Sequence, residues 1–524
     1  ADEYFPRWFE ALNLDDTNVL GDFQENILPE PDIASENLST EEWREALRGC
    51  KGMMLRQEVY ELDVDALEQG EERKVKLFST AFHNCHIQHL QPRGVNRHAV
   101  FLVTESEAIT YNYELDLQAT SLQPDPRIAH TLNLNIDEYG NVLESVAITY
   151  ARIGQQEDET LPEGAEALIN QVQEERHLVY TENRFTNDLI ADDYYRLRLS
   201  CEVKTYELTG IAPAEGFYYT LAELQQADIA NTVSEIPYHI FPNGTTPQKR
   251  LVEWVRMLYF SDDLQISLPW GELNYLGLPY ETYKLALTNE LLDAVFEPEQ
   301  LTPEVRGNLD NADLSGYLSG ETLAERFPDM DTSGQYWIRS GIAGFATDAA
   351  EHFYLPERYT DPFGQNTILV YDSRDLYVES STDPIGNTTQ VTQFDFRVMA
   401  PSEIRDINGN LSRVYFDVLG LPTAMAVMGK GDEADSLNSF NDRLANPTSA
   451  ELNAFFVENV YDESQARNWL ENVTARYVYY FGEQQNDDGT KTWGKYPTCA
   501  CSIMREQHRD ENSPLQVAFE YSDG

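Results

Sequence analysis

One short pattern, written three times within residues 361–423, constrains the fold of this chain more than anything else in it. The first copy is Asp361-Pro362-Phe363-Gly364-Gln365-Asn366-Thr367, running on to Tyr371-Asp372. The second, Asp383-Pro384-Ile385-Gly386-Asn387-Thr388-Thr389, runs to Phe394-Asp395. The third, Asp406-Ile407-Asn408-Gly409-Asn410-Leu411-Ser412, runs to Phe416-Asp417 and Gly420. Successive pattern glycines stand 22 and then 23 residues apart, and a fixed period of this size marks a repeat architecture. Asp-Pro-x-Gly is a turn: the Asp side chain bonds backbone two residues on, Pro presets φ near −65°, and Gly accepts positive φ. The β-branched and aromatic run that follows, as in Thr367-Ile368-Leu369-Val370-Tyr371, is strand-like and ends in another polar turn. Each copy is therefore about one hairpin. A lone hairpin is marginal in water, so the copies are expected to stack edge to edge.

A more distant copy is read at Asp137-Glu138-Tyr139-Gly140-Asn141-Val142-Leu143, reaching Tyr150. The residues expected to carry the architecture are thus turn formers, Asp137, Gly140, Asp361, Gly364, Asp383, Gly386, Asp406, Gly409 and Gly420, with repeat aromatics Tyr150, Tyr371, Phe394 and Phe416. The fold class expected is mainly β: a strip of stacked hairpins with a few short helices.

The rest of the chain agrees with a β-dominated reading. Residues 40–47 read as a helix capped by Ser39 or Thr40 and ending near Gly49, and residues 53–62 then look extended. Leu132-Asn133-Leu134-Asn135-Ile136 alternates strictly and pairs with 142–150 as a hairpin. Short helices are expected at 161–175 and 221–231, and another at 288–305 interrupted by Pro298 and Pro303. The polar, Gly-rich stretch 308–333 reads as surface loop, 432–472 as helical, and 484–492 as a turn. Three regions are expected: 1–155, β-rich with one short helix; 156–350, β with helical insertions; and 351–524, the repeat segment.

Charge excludes several partners. The chain carries 90 acidic and 37 basic residues, a formal net charge of −53, which makes nucleic acid and anionic lipid surfaces poor partners. Only nine of the basic residues are Lys, and an acid-rich, Lys-poor surface suits a salt-loving source, or solubility within a very large assembly. No stretch approaches the roughly 18 apolar residues a membrane helix needs, and the start shows no secretion signal. The end, Tyr521-Ser522-Asp523-Gly524, reads as a repeat cut in mid-phase, so an internal fragment of a longer protein is expected. Five cysteines do not describe a disulfide framework, and free buried thiols are expected.

The repeat resembles the YD repeat of the Rhs family. Longer strings resemble the middle region of the B component (TcB) of ABC insecticidal toxin (Tc) complexes: Gly49-Cys50-Lys51-Gly52-Met53-Met54-Leu55-Arg56-Gln57-Glu58-Val59-Tyr60, Asn96-Arg97-His98-Ala99-Val100-Phe101, Tyr111-Asn112-Tyr113-Glu114 and Asp125-Pro126-Arg127-Ile128-Ala129-His130. Tyr180-Thr181-Glu182-Asn183, Leu278-Pro279-Tyr280-Glu281-Thr282-Tyr283-Lys284-Leu285 and Glu351-His352-Phe353-Tyr354-Leu355-Pro356 continue the likeness. The resemblance implies a non-enzymatic wall segment of a hollow β cocoon that encloses a cytotoxic polypeptide. It also implies a C component and its enclosed toxin as partners, a pore-forming A component reached through other parts of the protein, and extracellular action after synthesis in the bacterial cytoplasm.

His83, Cys85 and His89 share one face of a strand, a possible metal trio without a fourth ligand nearby; Cys499-Ala500-Cys501 sets two thiols on one face. No phosphate loop, Gly-x-Ser-x-Gly elbow, His-Glu-x-x-His or dinucleotide fingerprint occurs, and no cofactor is expected. Two alternatives stay open: a glycan-binding cell-surface adhesin built on the same repeats, and a glycoside hydrolase, for which abundant carboxylates alone nominate no pair.

Overall fold

Strands begin where the pattern predicts. The computed structural model describes residues 25–522 apart from 35–37, 64, 67–68, 72, 120–121, 123, 156–159, 163, 430–433, 459–461, 487–489, 494–496 and 509–512. The reading of the first 24 residues, part of the 432–472 helical stretch and the last two residues of the proposed cut repeat lie outside the described residues. The chain divides into two compact units, Ala1–Ser340 and Gly341–Gly524.

In the first unit, the strands are β1 (Asp32–Ala34), β2 (Arg56–Leu62), β3 (Lys74–Gln91), β4 (Val100–Asp116), β5 (Arg127–Ile136), β6 (Val142–Thr149), β7 (His177–Phe185), the small hairpin β8 (Leu189–Ile190) and β9 (Tyr195–Arg196), β10 (Ser200–Thr209), β11 (Ser234–Ile236), β12 (Gln248–Tyr259), β13 (Pro279–Thr288), β14 (Tyr317–Ser319) and β15 (Gln335–Arg339). All but β8 and β9 join one sheet, ordered β1-β3-β4-β5-β6-β7-β10-β12-β13-β15-β14, with β2 on β3 and β11 on β12. The hairpin expected at 132–150 is β5 and β6, paired from Ala129 opposite Thr149 to Ile136 opposite Val142. Ile128, Leu132, Leu134, Val146 and Ile148 point into one core with Tyr111, Tyr180, Tyr206, Tyr283 and Trp337. Burying such rings removes large apolar areas from water, and their hydroxyls keep partners: Tyr180 donates to Glu144 at 2.6 Å and Tyr219 to the Ile211 carbonyl at 2.7 Å.

Helices cover this sheet where the caps predict and also where composition does not. The helix Thr40–Gly49 starts at Ser39 with a full capping box to Glu42. The helical stretch expected at 288–305, interrupted by its prolines, is two helices: Asn289–Val295, capped by Thr288, and Pro303–Asp310, with Thr302 as cap and Pro at the first turn. Proline starts a helix well and continues one badly, so Pro303 opens the second piece. The loop expected at 308–333 is not a loop. It holds the end of that helix, a short helix Ala312–Ser315, strand β14 and a helix Gly320–Arg326, with Leu318, Leu323 and Phe327 buried in the core. The glycines taken as loop markers are end signals; Gly316, at φ 76°, closes a helix.

The second unit is one sheet in unbroken chain order: β16 (Ile342–Gly344), β17 (Arg358–Thr360), β18 (Asn366–Tyr371), β19 (Val378–Thr382), β20 (Thr388–Asp395), β21 (Ala400–Arg405), β22 (Leu411–Phe416), β23 (Pro422–Met428), β24 (Ala475–Tyr480), β27 (Thr498–Arg505) and β28 (Leu515–Ser522). The turn expected at 484–492 is a two-strand hairpin of its own, β25 (Gln484–Gln485) with β26 (Lys491–Thr492). From β23 onward the sheet is layered: helices within 442–470 press Phe455, Trp469 and Leu470 onto Ala424, Ala426, Val478, Tyr480, Cys501 and Ile503. From β16 to β22 it is a single layer. Among the described residues Glu403 is the one buried residue in those seven strands; Tyr415 of β22 packs on Phe440 of the layered part, and elsewhere the ribbon has neither face buried.

Candidate functional site

The element that repeats is a corner built on one carboxylate. In the second copy, Asp383 Oδ1 accepts the backbone N–H of Ile385 at 3.1 Å and of Asn387 at 2.8 Å, while Oδ2 accepts the Asn387 side chain at 2.8 Å. The backbone closes the same loop: Gly386 N–H donates to the Asp383 carbonyl at 3.0 Å, and Asp383 N–H to the Asn387 carbonyl at 3.0 Å. Gly386 sits at φ 90°, a region that costs any residue with a Cβ. The third copy repeats every bond: Asp406 takes Asn408 and Asn410 N–H at 2.8 Å each and the Asn410 side chain at 2.9 Å, with Gly409 at φ 82°. Asp361 takes Phe363 and Gln365 N–H at 2.9 and 2.8 Å, with Gly364 at φ 75°.

The distant copy in the first unit has the same geometry. Asp137 receives Tyr139 and Asn141 N–H at 2.9 Å each and the Asn141 side chain at 3.0 Å, and Gly140 lies at φ 90°. An added clamp is present there. Arg198 donates to Asp137 at 3.2 Å, to Glu138 at 2.8 Å and to Asp188 at 2.5 Å, with its guanidinium carbon 4.8 Å from the Tyr139 ring centre.

The polar turn expected at the end of each copy is built in the same way. The Asp that ends each Tyr-Asp or Phe-Asp pair builds a second corner on the opposite edge of the ribbon. Asp372 accepts Arg374 and Leu376 N–H at 3.2 and 2.7 Å, Asp395 accepts Arg397 N–H at 2.9 Å, and Asp417 accepts Leu419 and Leu421 N–H at 2.9 Å each. Corner carboxylates therefore follow at Asp361, Asp372, Asp383, Asp395, Asp406 and Asp417, spaced by eleven or twelve residues. Each joins a strand to its neighbour, from β17–β18 through β22–β23. Gly420 fills the left-handed position after Asp417 at φ 87°. Asp375 and Met399 adopt that conformation at φ 57° and 55°, which hid the corners at Asp372 and Asp395 from a search for glycine.

The repeat aromatics serve different contacts. Phe394 stacks on Tyr377 with ring centres 3.9 Å apart, Tyr371 donates its hydroxyl to the Pro356 carbonyl at 3.0 Å, and Phe416 pairs with Pro422 across β22 and β23. Tyr150 is buried: its hydroxyl meets His130 Nδ1 at 2.9 Å and accepts the Tyr219 N–H at 3.0 Å, while His130 Nε2 lies 2.8 Å from Glu107. The metal trio is dispersed among other partners: His83 Nδ1 meets Glu105 at 2.8 Å, Cys85 faces Cys50, and His89 stacks on Phe101 at 5.0 Å. Among the described residues no group of three or more His, Cys, Asp or Glu is gathered so as to hold a metal ion. No helix of the described residues is long and apolar enough to cross a membrane.

Electrostatically, the corners hold their charge. The Asn387 side chain and backbone N–H groups hold the Asp383 carboxyl below its usual range, and Asn410 does the same for Asp406. At Asp137 partial burial raises the value, and the Asn141, Tyr139 and Arg198 donors outweigh it. A depressed native value means the corner's stabilisation is present above the unfolded value, about 3.9, and is lost as pH falls through the native one. Asn387→Ala is expected to move the Asp383 titration upward in a carboxyl carbon NMR titration and leave Asp406 in place. Equal titrations in variant and parent are the contrary result.

Stacked hairpins with a carboxylate-centred corner at each turn from β17 to β23 define a hairpin-repeat β-sheet protein. Sequence and fold then narrow the class. Residues 45–199 match the family described as insecticide toxin TcdB middle/C-terminal region. The fold resembles the crystal structure of TcdB2-TccC3 over 98% of this chain, at 17% identity and a TM-score of 0.54. It likewise resembles TcdB2-TccC3 without its hypervariable C-terminal region over 98% of the chain (15% identity, TM-score 0.53), and TcdB2-TccC3-Cdc42 over 90% (16%, 0.51). This chain spans about a quarter of the length of those three structures' chains, 23 to 25%. No curated protein matches it.

Proposed function

We propose that this chain forms part of the wall of a Tc-type toxin shell, a hollow β cocoon that encloses a cytotoxic polypeptide without acting on it chemically. The observation that carries this reading is the single-layer ribbon β16–β22, in which five carboxylate corners join neighbouring strands from β17 to β22, a sixth leads on to β23, and neither face is buried under a second layer along most of its length. An enzyme or receptor domain of ordinary size buries one sheet face under a second layer. A one-layer sheet that runs on strand after strand in chain order is what a container wall requires. The TcdB-family match over 45–199 and the likeness to TcdB2-TccC3 support the same reading.

In this reading the partner is a C-type component carrying the enclosed polypeptide, and a pore-forming A-type component docks through other parts of the protein. The shell works outside the producing cell, and its acid-rich surface keeps so large a particle dispersed, as it would in a salt-rich setting. The test is co-expression of the whole protein with a C-type component, followed by electron microscopy and protease treatment. A closed hollow particle that shields the partner's C-terminal segment is expected. Two proteins that purify apart, or a shielded segment absent from the particle, would overturn the proposal.

A further inference from the structure

Cys50 and Cys85 lie thirty-five positions apart in sequence, yet their sulfurs are 3.4 Å apart. Cys50 caps the C-terminal end of the helix Thr40–Gly49, and Cys85 is fully buried on β3. The helix end lies close to the sheet at the residue before the cap: a Cβ on Gly49 would stand 3.0 Å from Val103 Cγ2, a tight contact that glycine avoids. Ala46, Ile87, Ile33, Met53, Phe101 and Val103 pack around the pair, which fixes both side chains in an apolar seam. A disulfide needs about 2.05 Å between sulfurs, so bond formation has to bring these two sulfurs together by little more than an ångström.

We propose that Cys50 and Cys85 form a reversible thiol–disulfide pair that fastens the helix Thr40–Gly49 to the sheet when the protein meets oxidising surroundings. The two thiols differ in role. Cys50 is partly exposed and is the entering group; burial, with Cys50 as neighbour, pushes the Cys85 thiol up to about 12, which makes it a poor first nucleophile. With a small-molecule disulfide such as oxidised glutathione, the Cys50 thiolate attacks one sulfur, forming a mixed disulfide and releasing one glutathione thiolate. Cys85 then gives up its proton and attacks the Cys50 sulfur, forming the Cys50–Cys85 bond and releasing the second glutathione. One disulfide is reduced to two thiols while two protein thiols are oxidised to one disulfide, so atoms and electrons balance. Cys201, Cys499 and Cys501 are buried and stay reduced.

The test uses the whole chain treated with oxidised glutathione, then denatured for thiol counting and peptide mapping. Loss of two of the five thiols and a cross-linked peptide pair containing Cys50 and Cys85 are expected, both reversed by dithiothreitol. Cys85→Ala should instead hold glutathione on Cys50 as a stable mixed disulfide, and Cys499→Ser should still lose two thiols. Stable glutathionylation of Cys50 in the parent chain, five surviving thiols, or a bond mapped to Cys499 or Cys501 each overturns the proposal.

Discussion

Glu202→Ala is expected to unfold the first unit at markedly lower denaturant than the parent, with a loss of roughly 3–5 kcal/mol, the range for removing one partner of a buried ion pair. Glu202 and Arg256 are 1% and 3% exposed, on adjacent strands β10 and β12. The Glu202 carboxylate accepts Arg256 Nε at 2.5 Å and Trp254 Nε1 at 2.8 Å, and Asp329 takes the other two guanidinium nitrogens at 2.9 Å each. The guanidinium also lies 4.0 Å from the Trp270 ring centre. Alanine removes the acceptor of both Arg256 Nε and Trp254 Nε1 and leaves those two buried N–H groups facing a void, with Asp329 alone still pairing the cation, which is why the cost is large. Glu202→Gln keeps an oxygen acceptor and is expected to lose less. Trp254 and Trp270 flank the site, so tryptophan fluorescence during urea unfolding reads it directly; equal midpoints for Ala and Gln would refute the account.

The second large effect is expected at Gly210, and its cause is space rather than dihedral preference. Gly210 and Gly386 both hold positive φ, at 71° and 90°, so alanine pays a left-handed cost of about 1–2 kcal/mol at either. They differ in what a Cβ meets. At Gly386 nothing lies within 4 Å, whereas at Gly210 the new carbon would stand 2.0 Å from the Thr246 carbonyl oxygen. Backbone cannot swing aside as a side-chain tip does. Gly386→Ala is therefore expected to fold with a modestly lowered midpoint, and Gly210→Ala to lose most soluble, protease-resistant protein at 37 °C. Comparable yields and midpoints for the two would show that the crowding at Gly210 relaxes freely.

These two sites also show what sequence reveals here and what it withholds. The period of 22 and 23 residues was visible because Gly364, Gly386 and Gly409 mark one edge of the ribbon with a residue chosen for its dihedral freedom. The other edge uses the same carboxylate logic, but only its third corner has a glycine, Gly420; Asp375 and Met399 hold the left-handed position in the first two, and a pattern keyed to glycine misses those two. The helices within 308–333 were hidden for the converse reason. Polar and glycine residues there are caps, and the burial of Leu318, Leu323 and Phe327 that decides the matter depends on partners distant in sequence. The Glu202–Arg256–Asp329 network was beyond reach for the same reason: in a chain with 90 acidic residues, nothing local tells a buried carboxylate from a solvated one.

The open ribbon β16–β22 carries one further consequence, for the order in which the chain becomes structured. A sheet without a second layer has no dense interior to hold its first contacts, so its ladder bonds need a surface to grow on. The layered strands β23 to β28 supply that surface, and they are made after the ribbon. Assembly of this unit is therefore expected to run against the direction of translation, from the part around Ala424 and Val478 back toward β16; pulse-labelling hydrogen exchange during refolding that protects β16–β22 first is the contrary result.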